Sequence, residues 1–97
     1  MNYQELVEKI NEHGFGEICK SAYSVGKESD LIPGLKLVHR EGGGEGGGEY
    51  VERVFQFEDS DLFVKITGYY YSYEGTTYDG IEQVAPQQKT ITVYEKL

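Results

Sequence analysis

Apolar and polar positions divide this chain into a helical opening and a longer run of alternating strands. Tyr3, Leu6, Val7 and Ile10 recur at the spacing of one helix face, and Asn2 followed by Glu5 has the form of a capping box. With Gly14 as a stop, the pattern predicts an amphipathic helix over residues 2–13. Its other face carries Glu5, Glu8, Lys9 and Glu12, which puts acid near the positive end of the helix dipole. Gly14-Phe15-Gly16 reads as a break. Ile18 to Val25 mixes small, β-branched and aromatic residues and is expected to be a strand, followed by a polar loop over Gly26–Gly34 with a turn at Pro33-Gly34.

From Leu35 the period changes to two. Leu35, Leu37 and His39 share one face, with Lys36, Val38 and Arg40 on the other. Tyr50 to Phe57 sets Val51, Phe55 and Phe57 around Arg53 on one side and Tyr50, Glu52, Val54 and Gln56 on the other. Glu58-Asp59-Ser60-Asp61 is a tight turn, and Leu62 to Tyr71 is a strand with Leu62, Val64 and Ile66 facing the core. Gly68 marks a bulge or bend. Ser72 to Gly80 reads as a second long connection, Ile81 to Val84 as extended chain up to Pro86, and Thr90 to Glu95 as a last strand. The expected fold class is α+β: an N-terminal amphipathic helix packed on a four- to five-stranded, mostly antiparallel sheet, with a wetter opposite face holding many of the tyrosines.

A chain of 97 residues is expected to form one domain over residues 1–97, hiding roughly two thirds of its unfolded surface. No apolar run is long enough for a membrane-spanning helix. Met1 to Glu5 lacks the basic start and apolar block of a secretory signal, so a cytoplasmic location is favoured over secretion with a cleaved leader. One cysteine, Cys19, agrees with this, because small secreted domains usually carry an even set.

The net charge of −8 is unevenly placed. Residues 41–82 hold ten acidic residues against two basic ones, Arg53 and Lys65. Such a field disfavours direct binding to nucleic acid or anionic membranes and speeds encounter with basic surfaces.

The central feature is Glu41 to Glu49, in which glutamates four apart alternate with runs of three glycines. It reads as a wide, solvated hairpin connection. A phosphate loop would need a lysine and a following helix, and this run leads into a strand. Glu41, Glu45 and Glu49, or Glu58, Asp59 and Asp61, offer oxygens of the kind calcium takes, but neither set matches an EF-hand. Cys19, His13 and His39 lack the short spacing of zinc sites, and nothing flags an oxyanion hole beside a Cys-His pair. The expectation is no metal, no cofactor and no enzymatic activity.

Tyr69, Tyr70, Tyr71, Tyr73 and Tyr78 cluster with Glu74 and Asp79. Tyrosine is enriched at interfaces because it gives a large rigid contact and one hydroxyl, although cross-strand packing accounts for the same cluster equally well. Acid beside exposed rings could imitate a phosphate backbone with stacked bases; a merely solubilising acidic surface is the plainer reading.

Three segments, Glu41-Gly-Gly-Gly-Glu-Gly-Gly-Gly-Glu-Tyr50-Val51, Gly68-Tyr-Tyr-Tyr-Ser-Tyr-Glu-Gly75 and Thr90-Ile-Thr-Val-Tyr94-Glu, resemble those of small acidic phage- and prophage-encoded proteins, a group that includes anti-CRISPR inhibitors. The resemblance implies a non-enzymatic protein of the host cytoplasm that acts by binding, and carries over no functional residue. The sequence therefore points to an acidic domain that occludes a basic, nucleic-acid-handling surface of a partner protein. Glu45, Glu49, Tyr71, Tyr73, Glu74 and Asp79 are the expected contacts. The alternative is a self-assembling structural or virion-associated protein, a homo-oligomer built through the tyrosine-rich face and a sheet edge.

Overall fold

A computed structural model describes residues 2–42, 49–71, 75–86 and 96, without the side chains of Glu49 and Tyr71. Its elements run α1 (Tyr3–His13), α2 (Phe15–Ser21), β1 (Leu35–Glu41), β2 (Glu49–Phe57), β3 (Phe63–Tyr71) and β4 (Gly75–Val84). The strands form an antiparallel sheet in the order β1-β2-β3-β4, the meander that short hairpin connections produce. The fold is α+β. The expected strand Thr90–Glu95 lies outside the described residues.

Helix α1 starts as the sequence predicts: the Asn2 side chain accepts a hydrogen bond from the Glu5 backbone N–H at 2.9 Å. Gly14, at φ 91°, joins the two helices by donating to Ile10 O and accepting from Ile18 N. The following segment corrects the expectation of a strand, for residues 15–21 are helical. Phe15, Ile18, Cys19 and Ala22 recur at three- and four-residue steps, and that face packs into the core with Leu6 and Ile10 of α1.

Both helices cover one face of the sheet. Leu35 and Leu37 from β1, Val51 and Phe55 from β2, and Val64 and Ile66 from β3 are each 0 % exposed. Burial of a side chain of this size is worth about 1.5–3 kcal/mol, which makes this inner face the main source of stability. The loop after α2 also pairs with β1. Gly26 and Ser29 donate to Leu37 O and Leu35 O, while Leu37 donates to Lys27 O, covering the start of an otherwise open edge.

Two bulges depart from simple alternation. Between Leu37 and His39 the β1–β2 register slips by one residue. His39 therefore stands opposite Val54 on the outer face rather than with Leu35 and Leu37, and Arg40 moves to the inner side opposite Arg53. The second slip lies between Thr67 and Gly68, where Asp79 is the extra residue between Tyr78 and Gly80. It coincides with the glycine that marked a bend. Strand β4 begins at Gly75, so residues 75–80 of the long connection expected over residues 72–80 are strand instead; the bulge at Asp79 hides the alternation that would have shown Thr76 to Val84 as one strand.

Candidate interaction face

The outer face of the sheet collects the polar positions of all four strands. Antiparallel register aligns Glu41 with Glu52, Val54 with Lys65, Lys65 with Glu82, and Tyr50 with Tyr69. Lys65 Nζ lies 2.8 Å from Glu82 Oε1 and 3.4 Å from Glu52 Oε1, so two carboxylates share one ammonium. The Glu82 contact, with Glu52 behind it, raises Lys65 above its ordinary pKa against the opposing effect of burial. On the other side of Glu52, His39 Nε2 is 3.8 Å from Oε2 and 3.1 Å from Glu41 Oε1. The network crosses the sheet from β1 to β4.

Beside it stand two rings. Tyr50 and Tyr69 meet edge to face, with centroids 6.1 Å apart and planes at 80°, and both remain nearly half exposed. The Tyr50 hydroxyl reaches Glu52 Oε1 at 3.5 Å. Further along the same face the character becomes apolar. Val38, Val54, Phe63 and Val84, with Ala85 and Pro86, line an open groove of about 340 Å³ that His39 and Lys65 of the network border. One part of the face thus carries carboxylates and phenols around Lys65 and His39, and the adjoining part is largely apolar.

His39, Glu41 and Glu52 each place one potential ligand atom within 4.8 Å of the others, the one such triplet among the described residues. An imidazole with two carboxylates is a donor set for a borderline divalent ion such as zinc. Its atoms already serve the ion-pair network. The turn carboxylates Glu58, Asp59 and Asp61 do not converge in this way.

Of the contacts expected from sequence, Asp79 is exposed at the β4 bulge. The backbones of Glu49 and Tyr71 sit at the start of β2 and the end of β3, opposite Tyr70 and Gly75. Glu45, Tyr73 and Glu74 lie outside the described residues. The strand directions bring the end of β1, the start of β2, the end of β3 and the start of β4 to one end of the sheet, which carries Glu41, Tyr50 and Tyr69. Tyr78 turns inward instead. It is half-buried against the core and hydrogen-bonds Cys19, whose buried thiol is pushed up to about 11 and so carries almost no thiolate at neutral pH.

Sequence reasoning missed His39, Glu41, Glu52, Lys65, Tyr69 and Glu82 as a group. The alternation of β2 does place Tyr50 and Glu52 together, and that signal was readable. Which residues stand beside them depends on cross-strand register.

No helix among the described residues is long and apolar enough to cross a membrane. No family model, curated protein or solved structure matches the chain.

Proposed function

We propose that this protein is a non-enzymatic binding protein that uses the outer face of its sheet to occlude a basic, nucleic-acid-handling surface of a partner, in the manner of a phage anti-defence inhibitor working in the host cytoplasm. The observation that carries this reading is the gathering of Glu41, Glu52 and Glu82 with the exposed rings of Tyr50 and Tyr69 on one solvent-facing side. Carboxylates match basic side chains, and the rings supply rigid contact area beside them. In this reading Glu45, Glu49, Tyr71, Tyr73, Glu74 and Asp79, the contacts expected from sequence, add carboxylates and rings to the same partner surface.

The test is retention of host proteins by the tagged chain, compared with the double variant Glu41→Lys and Glu82→Lys, from about 50 to about 500 mM salt. A specific nucleic-acid-binding protein should be retained at low salt, be displaced by added nucleic acid, and bind the double variant on the order of tenfold or more weakly. Retention that ignores both the charge reversals and the salt series rules the reading out.

The apolar groove favours a second reading, self-association through the same face. Sedimentation separates the two, since a salt-insensitive dimer at micromolar concentration, abolished by Phe63→Glu, belongs to assembly.

A further inference from the structure

We propose that the concave site on the opposite face of the sheet, between α2 and strands β1, β2 and β4, binds a small tetrahedral oxyanion of the phosphate class. Its wall is formed by Cys19, Lys20, Tyr23, Arg40, Arg53 and Tyr78 and encloses about 260 Å³. Three of these six residues are cationic and none is a carboxylate, in a chain whose net charge is −8.

Arg53 is the most deeply buried cation of the site. It is 7 % exposed, yet no ion pair joins it to a carboxylate among the described residues. Its Nη1 donates to two backbone carbonyls, Glu41 O at 2.8 Å and Glu52 O at 2.9 Å. Those bonds fix the plane of the guanidinium, and Nε and Nη2 meet no acceptor among the described residues. Arg53 lines the cavity, and no fully buried side-chain nitrogen or oxygen among the described residues lacks a partner, so its uncommitted nitrogens are not sealed in the core. A buried cation without a counter-charge is costly to maintain, and guanidinium hydrogens match the oxygens of phosphate.

The β1 bulge supplies the second cation. By slipping the register it puts Arg40 directly opposite Arg53, a like-charge pairing that destabilises a sheet unless an anion lies between the two. Arg40 Nη1 is held by Tyr23 O at 2.8 Å, which keeps the side chain at the rim. Lys20 adds an exposed ammonium, 4.0 Å from Glu17 Oε1. The Tyr78 hydroxyl and Cys19 thiol, hydrogen-bonded to each other, close the inner wall with neutral polar groups. Two arginines and a lysine exceed what a single carboxylate needs, and a phosphate group near neutral pH carries between one and two negative charges.

This inference uses residues that the partner-binding reading does not, and either stands without the other. The probes are inorganic phosphate and adenosine monophosphate, titrated at constant ionic strength into the intact chain and followed by amide NMR shifts and thermal unfolding. Phosphate is expected to bind with a dissociation constant of a millimolar or tighter and to move the amides of Lys20, Arg40 and Arg53. Arg40→Gln, at an exposed position, should weaken binding at least tenfold; Arg53→Met should abolish it, and Lys36→Gln on the outer face should leave it unchanged. Tighter binding of the nucleotide than of phosphate supports the site and assigns it to phosphomonoesters. No shift up to about 20 mM phosphate, or binding unaltered by Arg40→Gln, overturns the proposal.

Discussion

Gly68 gives the sharpest test of the fold that positions both faces. It is buried in β3, between Val51 of β2 and Tyr78 of β4, at the bulge that re-aligns β4. A Cβ placed there would sit 2.1 Å from the Thr77 carbonyl oxygen and 2.8 Å from the Tyr78 Cα. Both are backbone atoms, so no side-chain rotation relieves the clash. Restoring ordinary contact near about 3.5 Å moves β4 back by more than about 1 Å, enough to open hydrogen bonds of the usual length. Loss of two ladder bonds at about 1 kcal/mol each, with about 1–3 kcal/mol for overpacking, predicts that Gly68→Ala costs about 3–5 kcal/mol. A domain of this size is stable by about 5–15 kcal/mol, so the melting temperature should fall by at least about 12 °C. The assay is urea unfolding followed by circular dichroism, with Gly80→Ala as the control. A Cβ at Gly80 meets Thr67 Oγ1 at 2.9 Å, the end of a side chain able to turn away, so that change should cost under about 1 kcal/mol. A Gly68→Ala protein within about 1 kcal/mol of the parent would refute the bulge geometry.

Gly16 makes the opposite prediction. It lies in α2 with a clear path for a Cβ, the nearest atom being Tyr78 Cδ2 at 4.0 Å, so Gly16→Ala should stabilise the protein by about 0.5–1 kcal/mol in the same urea assay; a loss of stability would contradict a helix over these residues. Alkaline pH should act through Cys19, which burial lifts from 9.0 to about 11, and through Tyr78, raised first by burial and then by Cys19. Because the folded chain holds a proton that the unfolded chain releases, this stability is complete below pH 9 and is lost as pH rises through 11. The thiol's share is about 3 kcal/mol at most. Cys19→Ala should flatten the alkaline limb while lowering neutral-pH stability by about 1 kcal/mol, and an unchanged limb would show that the thiol is not protected.

The two faces owe their opposite charge to adjacent rungs of one strand pair. Arg40 opposes Arg53 on the inner side, and Glu41 opposes Glu52 on the outer side. A pleated strand sends successive side chains to opposite faces, so four residues in two neighbouring rungs suffice to polarise that end of the sheet.

The first helix, its Asn2 cap, the core faces of β2 and β3 and the bend at Gly68 were legible in sequence because each depends on neighbours within a few positions. Helical spacing at Phe15, Ile18, Cys19 and Ala22 was also present, but glycines at 14 and 16 masked it, and the helix is held by the core it covers rather than by propensity. What tertiary structure alone decided is register. A one-residue slip sends every later side chain to the other face, and the slip between Leu37 and His39 is set by pairing with β2, a partner distant in sequence. Through that slip His39 joins Glu41 and Glu52, and Arg40 meets Arg53, so charge content was written in the chain while its division between two faces came from strand pairing.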